Sequence, residues 1–164
     1  MAVSQDQSYQ PMKATFLFLF FIGIFTLNAQ KSAEPTETVK EFFEAFHKQD
    51  TAKMRKMAYK SVIMQSISTD SSGITELTTT KYDDFLKIIA SIPVDATFEE
   101  RVTGYKSQSD ALMAQVWAPY EFYYDGKMSH CGTNNFQLLK ENGLWRIFYI
   151  VDTRMEKLEW RNEK

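Results

Sequence analysis

Trp117-Ala118-Pro119-Tyr120-Glu121-Phe122-Tyr123-Tyr124-Asp125-Gly126-Lys127 is a long aromatic strand running into an Asp-Gly turn. The tight hairpin turn needs positive φ, which Asp-Gly supplies, so a second strand follows directly, from Met128 to Leu139. Asn142-Gly143 repeats the signal and leads into a third strand, Leu144 to Arg154. The whole stretch from Tyr105 to Arg154 thus reads as an antiparallel meander. The long strand begins near Ala111, after a turn at Gln108-Ser109-Asp110, and bends where Pro119 withholds its N–H. Phe98 to Ser107 reads as one further strand.

Upstream, the period changes from two to that of a helix. Val39, Phe42, Phe43 and Phe46 fall at i, i+3, i+4 and i+7, one apolar face of a helix starting near Thr36. Thr38 and Glu41 fit a capping box. His47-Lys48-Gln49 is a turn, with His47 a favourable charge at the helix C-terminus. Asp50 caps a short second helix carrying Met54 and Met57. Ser61 to Ser68 reads as a strand, with Val62, Met64 and Ser66 on one side and Ile63, Gln65 and Ile67 on the other. Thr69 to Thr80 is polar and reads as a loop. Thr80 caps a third helix whose stripe is Tyr82, Phe85, Leu86 and Ile89, ended by Pro93. The expected class is α+β: a strongly curved antiparallel sheet, cone-shaped, with about three N-terminal helices packed on its concave face.

Composition narrows the function classes. The 164 residues suit one domain, and 13 Phe with 8 Tyr suit a large core or a lined cavity. A net charge of −2 gives no pull toward nucleic acid. A single cysteine, Cys131, rules out an internal disulfide and a thiolate zinc site. It is expected to be buried. No paired histidines or His/Cys cluster suggest a metal, and no cofactor motif is present.

Residues 1–30 read as a secretory signal peptide. Lys13 is its positive region, Phe16 to Leu27 its apolar run, and Ala29-Gln30 its cleavage point. The apolar run is too short to span a membrane comfortably, which takes about 20 residues. Met12 competes with Met1 as the start. Residues 31–35 form a linker, 36–155 the domain and 156–164 a charged tail in which Trp160 could dock. The expectation is an exported protein, periplasmic or secreted, with no stable membrane span in its mature form.

Val39–Phe46 followed by Asp50, Tyr120–Gly126, Ser129-His130-Cys131-Gly132 and Gly143-Leu144-Trp145-Arg146-Ile147 together resemble the nuclear transport factor 2-like superfamily, in particular its exported SnoaL-like bacterial members. The likeness covers about Thr36 to Arg154. It implies a cone of sheet wrapped round a pocket that the helices close. It also implies isomerase, dehydratase, cyclase or purely binding roles, and a homodimer formed through the outer sheet face. A shared fold does not choose among these roles.

Pocket candidates come from the face expected to line the cone. They are Met64, Tyr120 and Phe122; His130, Asn134 and Phe136, which alternate along the middle strand; and Tyr149, through the inward Trp-x-Ile pattern that the family implies. His130 could act as a general base, or simply be a hydrogen-bonded histidine near a strand end. Tyr120 and Tyr149 could donate to a ligand oxyanion, or be core aromatics with rim hydroxyls. Asn134 could orient a ligand group or be satisfied internally. Glu121 and Asp152 fall on faces read as outward, with Asp152 and Arg154 a surface pair. Asp83 and Asp84 are explained by helix capping. With no inward acid, the sequence assigns no catalytic residue.

The leading expectation is therefore a small, largely apolar ligand in an aromatic cone. An isomerase, dehydratase or cyclase using His130 with Tyr120 or Tyr149 is the alternative. A dimeric structural module is the third. A convergent buried polar cluster would favour the enzyme. A cone filled by Met64, Phe122, Phe136 and Tyr149 would favour the structural module.

Overall fold

The computed structural model describes residues 34–155. The stretches read as signal peptide and charged tail, and most of the one read as linker, lie outside them. Among the described residues, three helices precede or interrupt a seven-stranded sheet. In chain order they are α1 (Pro35–His47), α2 (Thr51–Met57), β1 (Ala58–Thr69), β2 (Thr75–Lys81) and α3 (Tyr82–Ser91). Then come β3 (Phe98–Val102), β4 (Lys106–Ser109), β5 (Met113–Tyr124), β6 (Lys127–Glu141) and β7 (Leu144–Arg154). The strand order is β2-β1-β7-β6-β5-β3, with β4 also on β5. All pairings are antiparallel except β1 with β7, which is parallel. The sheet is curved and unclosed, the α+β cone expected. No helix of the described residues is long and apolar enough to cross a membrane.

Both hairpin signals act as read. Asp125 and Gly126 take φ of 47° and 73°, and Asn142 and Gly143 take 51° and 80°, the positive values that the two-residue turn demands. Asp50 caps α2 by accepting from the Lys53 N–H at 2.8 Å. The start of α1 differs from the expectation. No capping box forms; Pro35, with its preset φ, opens the helix one residue early. At α3, Lys81 rather than Thr80 is the N-cap, and its side chain makes no capping bond.

The stretch read as a loop, Thr69–Thr80, holds all of β2 but its last residue, and β2 pairs with β1 from Ile63↔Lys81 to Thr69↔Thr75. Every residue of β2 is exposed, so no alternation of apolar and polar residues marks it. The strand read as Phe98–Ser107 is two strands. They separate at Thr103-Gly104-Tyr105, where the Thr103 N–H donates to the Pro119 carbonyl at 2.8 Å. The break lies opposite the proline that cannot continue the ladder.

The core lies between the helices and the concave sheet face. Val39, Phe42, Phe43, Phe46, Met54, Leu86 and Ile89 meet Val116, Phe136, Leu138, Trp145, Ile147 and Ile150. Phe136 takes edge-to-face contacts from Phe42 and Phe43 at 5.4 and 5.5 Å between centroids. Cys131 is buried, as expected.

Candidate functional site

Alternation along β5 and β6 places Ala118, Tyr120 and Phe122 opposite Asn134, Gly132 and His130, all on the concave face. β3 sets Glu100 in register with Phe122, hence on the same face. β7 sets Asp152 opposite Asn134, and the parallel register of β1 sets Ser66 beside Asp152. Side chains of five strands therefore converge. Ala118, fully buried, is small enough for Asn134 to reach across β5, where its Nδ2 donates to Glu100 Oε1 at 2.6 Å. The Tyr120 hydroxyl donates to Asp152 Oδ2 and the Thr153 carbonyl, each at 3.1 Å. Arg154 Nε donates to Asp152 Oδ2 at 2.9 Å. His130 stacks on Phe122, with centroids 5.0 Å apart, and meets Tyr120 edge-on. Ser66 Oγ is buried and finds no partner among the described residues.

Gly132 is required by this geometry. A Cβ there would stand 1.8 Å from the Thr153 carbonyl oxygen, the same atom that accepts from Tyr120. That oxygen leans into the cone, and only glycine leaves it room.

Electrostatics separate the titrating groups. Burial pushes the Glu100 carboxyl up to about 7; the Asn134 hydrogen bond and Arg154 oppose the rise, and the charge on Asp152 adds to it. Burial, with Asp152 and Glu100, pushes the Tyr120 hydroxyl far above its ordinary range. Tyr120 therefore stays protonated, with its hydrogen already directed at protein acceptors. Burial and the Arg154 cation hold His130 below its ordinary value, so its imidazole is neutral near pH 7. Glu100 is thus an acid in the cone whose charge changes near neutrality.

The sequence candidates divide. Tyr120 and Asn134 are in the cluster, and Phe122 with His130 forms its partly buried wall. Met64 and Phe136 also face inward but belong to the apolar packing below it. Tyr149 lies on the opposite face, where its hydroxyl donates to Gln65 Oε1 at 2.5 Å. The reason is a β-bulge. β6 residues Gln137 and Leu138 pair with Tyr149 and Ile147, so Phe148 is the extra residue. Before it Trp145 and Ile147 face inward; after it Ile150, Asp152 and Arg154 do. The same shift corrects the outward reading of Asp152 and Arg154. They do pair, but on the concave side, with the Asp152 side chain 14% exposed.

Glu100 was missed although a signal existed. Phe98, Glu100 and Val102 alternate with Glu99 and Arg101, which puts one acid between two apolar residues on the inward side. Among the described residues no group of three or more His, Cys, Asp or Glu side chains is arranged to hold a metal.

No protein-family model and no curated protein matches the chain. Solved structures do. An NTF2-like protein of unknown function from Shewanella baltica aligns with TM-score 0.52 at 16% identity, covering 75% of this chain and 92% of that one. A protein of unknown function with a cystatin-like fold from Nostoc punctiforme gives 0.58 at 12% identity over 80% and 96%. A candidate dehydratase of the NTF2-like family from Streptomyces avermitilis gives 0.55 at 9% identity over 73% and 92%. At these identities the likeness is one of fold.

Proposed function

We propose that this chain, which has the nuclear transport factor 2-like fold, is a proton-transfer enzyme of the isomerase or dehydratase type. Its substrate is a small molecule with an apolar body and a carbonyl group. One observation carries the reading: an acid, Glu100, enters the cone among Asn134, Tyr120 and Asp152, held at 2.6 Å by Asn134. A general base works best with a pKa near the operating pH, and about 7 meets that requirement.

In the step, the Glu100 carboxylate takes a proton from the carbon beside the carbonyl, and the electron pair moves onto the carbonyl oxygen. The resulting enolate needs donors. Tyr120 has its hydrogen on Asp152 and Thr153, so the donor role passes to the terminal nitrogens of Arg154, whose Nε holds Asp152. Protonated Glu100 then returns the proton to a second carbon, giving the isomer. Alternatively it gives the proton to a departing β-hydroxyl, which leaves as water. Phe122 and His130 wall the apolar body.

The test is deuterium incorporation from D2O into a panel of small β,γ-unsaturated and β-hydroxy ketones, read by mass spectrometry. Wild-type protein is expected to label the α-carbon of at least one member, and Glu100→Gln to slow labelling about 100-fold or more. A ketone that binds without exchange refutes proton transfer and favours a binding domain. That second reading has its own support, since Tyr120 and Asn134 already direct donors at protein acceptors. We also propose export through residues 1–30, and a homodimer through the convex face, where Trp117 is 47% exposed. Native mass spectrometry of protein from its own host reads the cleaved mass, the dimer and any co-purified ligand together.

A further inference from the structure

β3 is the last strand on its side of the sheet order, so alternate backbone N–H groups point away from β5 with no strand to receive them. One of them belongs to Glu100, and it donates to His47 Nε2 at 2.9 Å. His47 ends α1, 53 positions earlier in the chain. Its ring is held in place by Phe43, Phe46 and Phe98, at 6.5, 5.3 and 6.3 Å between centroids. The helix thus reaches the sheet edge at the β3 residue that sends a carboxylate into the cone.

We infer that His47 is a positioning residue for Glu100: its bare Nε2 receives the Glu100 backbone N–H and fixes the segment from which the carboxylate enters the cone. The inference rests on the proton-transfer reading for its functional meaning. A backbone donor without an acceptor is costly away from water, so loss of the imidazole frees this edge of β3 to turn toward solvent. The bond also demands a neutral ring with its proton on Nδ1, because a protonated ring would set N–H against N–H. The charged and titrating groups around the ring are Glu99 and Arg101, ion-paired at 2.8 Å, and Tyr123. They line, with His47 and Phe98, a surface depression of about 450 Å³.

Burial holds His47 below its ordinary 6.5, with Glu99 opposing. As pH falls, Glu100 therefore takes up its proton first, through about 7, and His47 follows. The acceptor is in place across the whole range in which Glu100 is an active base.

The experiment follows the Glu100 amide and side-chain carboxyl by NMR from pH 8 to pH 4 in wild-type protein, His47→Gln, His47→Ala and Glu100→Gln. Glutamine presents an acceptor oxygen where Nε2 stood and does not titrate. In wild-type protein the amide shift should move in two steps, one with its own carboxyl and a lower one with His47. His47→Gln should keep only the first step and Glu100→Gln only the second. In His47→Ala the Glu100 carboxyl should fall by about one pH unit or more, toward the ordinary carboxylate range, as it gains water. In His47→Gln it should stay put. A wild-type amide blind to His47, or a carboxyl unmoved in His47→Ala, overturns the inference. If His47→Ala does not fold, His47→Gln decides alone, since a folded variant with its carboxyl in the ordinary range shows that the hydrogen bond is not what positions Glu100. A wild-type carboxyl already in that range refutes the proton-transfer reading instead.

Discussion

Glu100→Gln should make the protein more stable while removing its proposed chemistry. Glutamine keeps the oxygen that accepts from Asn134 and loses the charge. Burial pushes the folded wild-type carboxyl up to about 7, against an ordinary value of 4.5. A raised folded pKa means that the folded state holds the proton more tightly than the unfolded chain. Its stability contribution is therefore full below pH 4.5, is lost progressively as pH rises toward 7, and stays lost above it. The loss amounts to up to about 3 kcal/mol. That figure is a ceiling, because Glu100 keeps some accessible surface. The assay is urea unfolding of wild-type and variant proteins at half-unit steps from pH 4.5 to pH 8.5. The difference between the two curves should be near its minimum at the acid end, open between pH 4.5 and 7, and level off beyond. A difference that stays flat across the window would refute the argument, because it would mean that folding leaves the Glu100 carboxyl unperturbed.

Other substitutions test the packing and the cluster walls. Trp145→Ala should cost about 3–5 kcal/mol, since the indole is buried at 5% exposure in the core; a cost under about 1 kcal/mol in denaturant unfolding would place the ring outside it. Gly132→Ala should destabilise by about 3 kcal/mol or prevent folding, because its Cβ would meet a backbone oxygen rather than a movable side chain; near-wild-type urea unfolding would show that the Thr153 carbonyl does not lean into the cone. His130→Ala should leave the fold intact, as the ring is only partly buried against Phe122. A loss above about 3 kcal/mol would make it a core residue and end any ligand role.

The parts of the fold that were legible are those where local chemistry decides the backbone. Asp125-Gly126 and Asn142-Gly143 dictate positive φ wherever they occur, so the meander and its two hairpins could be read directly. The Phe42, Phe43 and Phe46 face buries as its spacing requires. The alternation His130, Gly132, Asn134, Phe136, Leu138 holds along β6, and Ala118, Tyr120, Phe122 holds along β5, so Asn134 and Tyr120 face the cone as read. What failed was decided by pairing partners. β2 is a strand because β1 offers it an edge, and its exposed threonines carry no pattern. The phase of β7 is broken by a bulge set by its neighbour β6, which sends Tyr149 outward and Asp152 and Arg154 inward. One shifted residue therefore hid half of the acid cluster. Glu100 was hidden differently: a lone glutamate in a five-residue strand looks like surface until the register with Phe122 places it.

The most direct test of the central claim is the titration of the Glu100 side-chain carboxyl by carbon-detected NMR, assigned by its absence in Glu100→Gln. The account predicts a midpoint of about 7, with the resonance still moving at neutral pH. A midpoint near 4.5, with the carboxylate fully ionised by pH 6, would contradict it and leave the cone without a base poised for proton transfer.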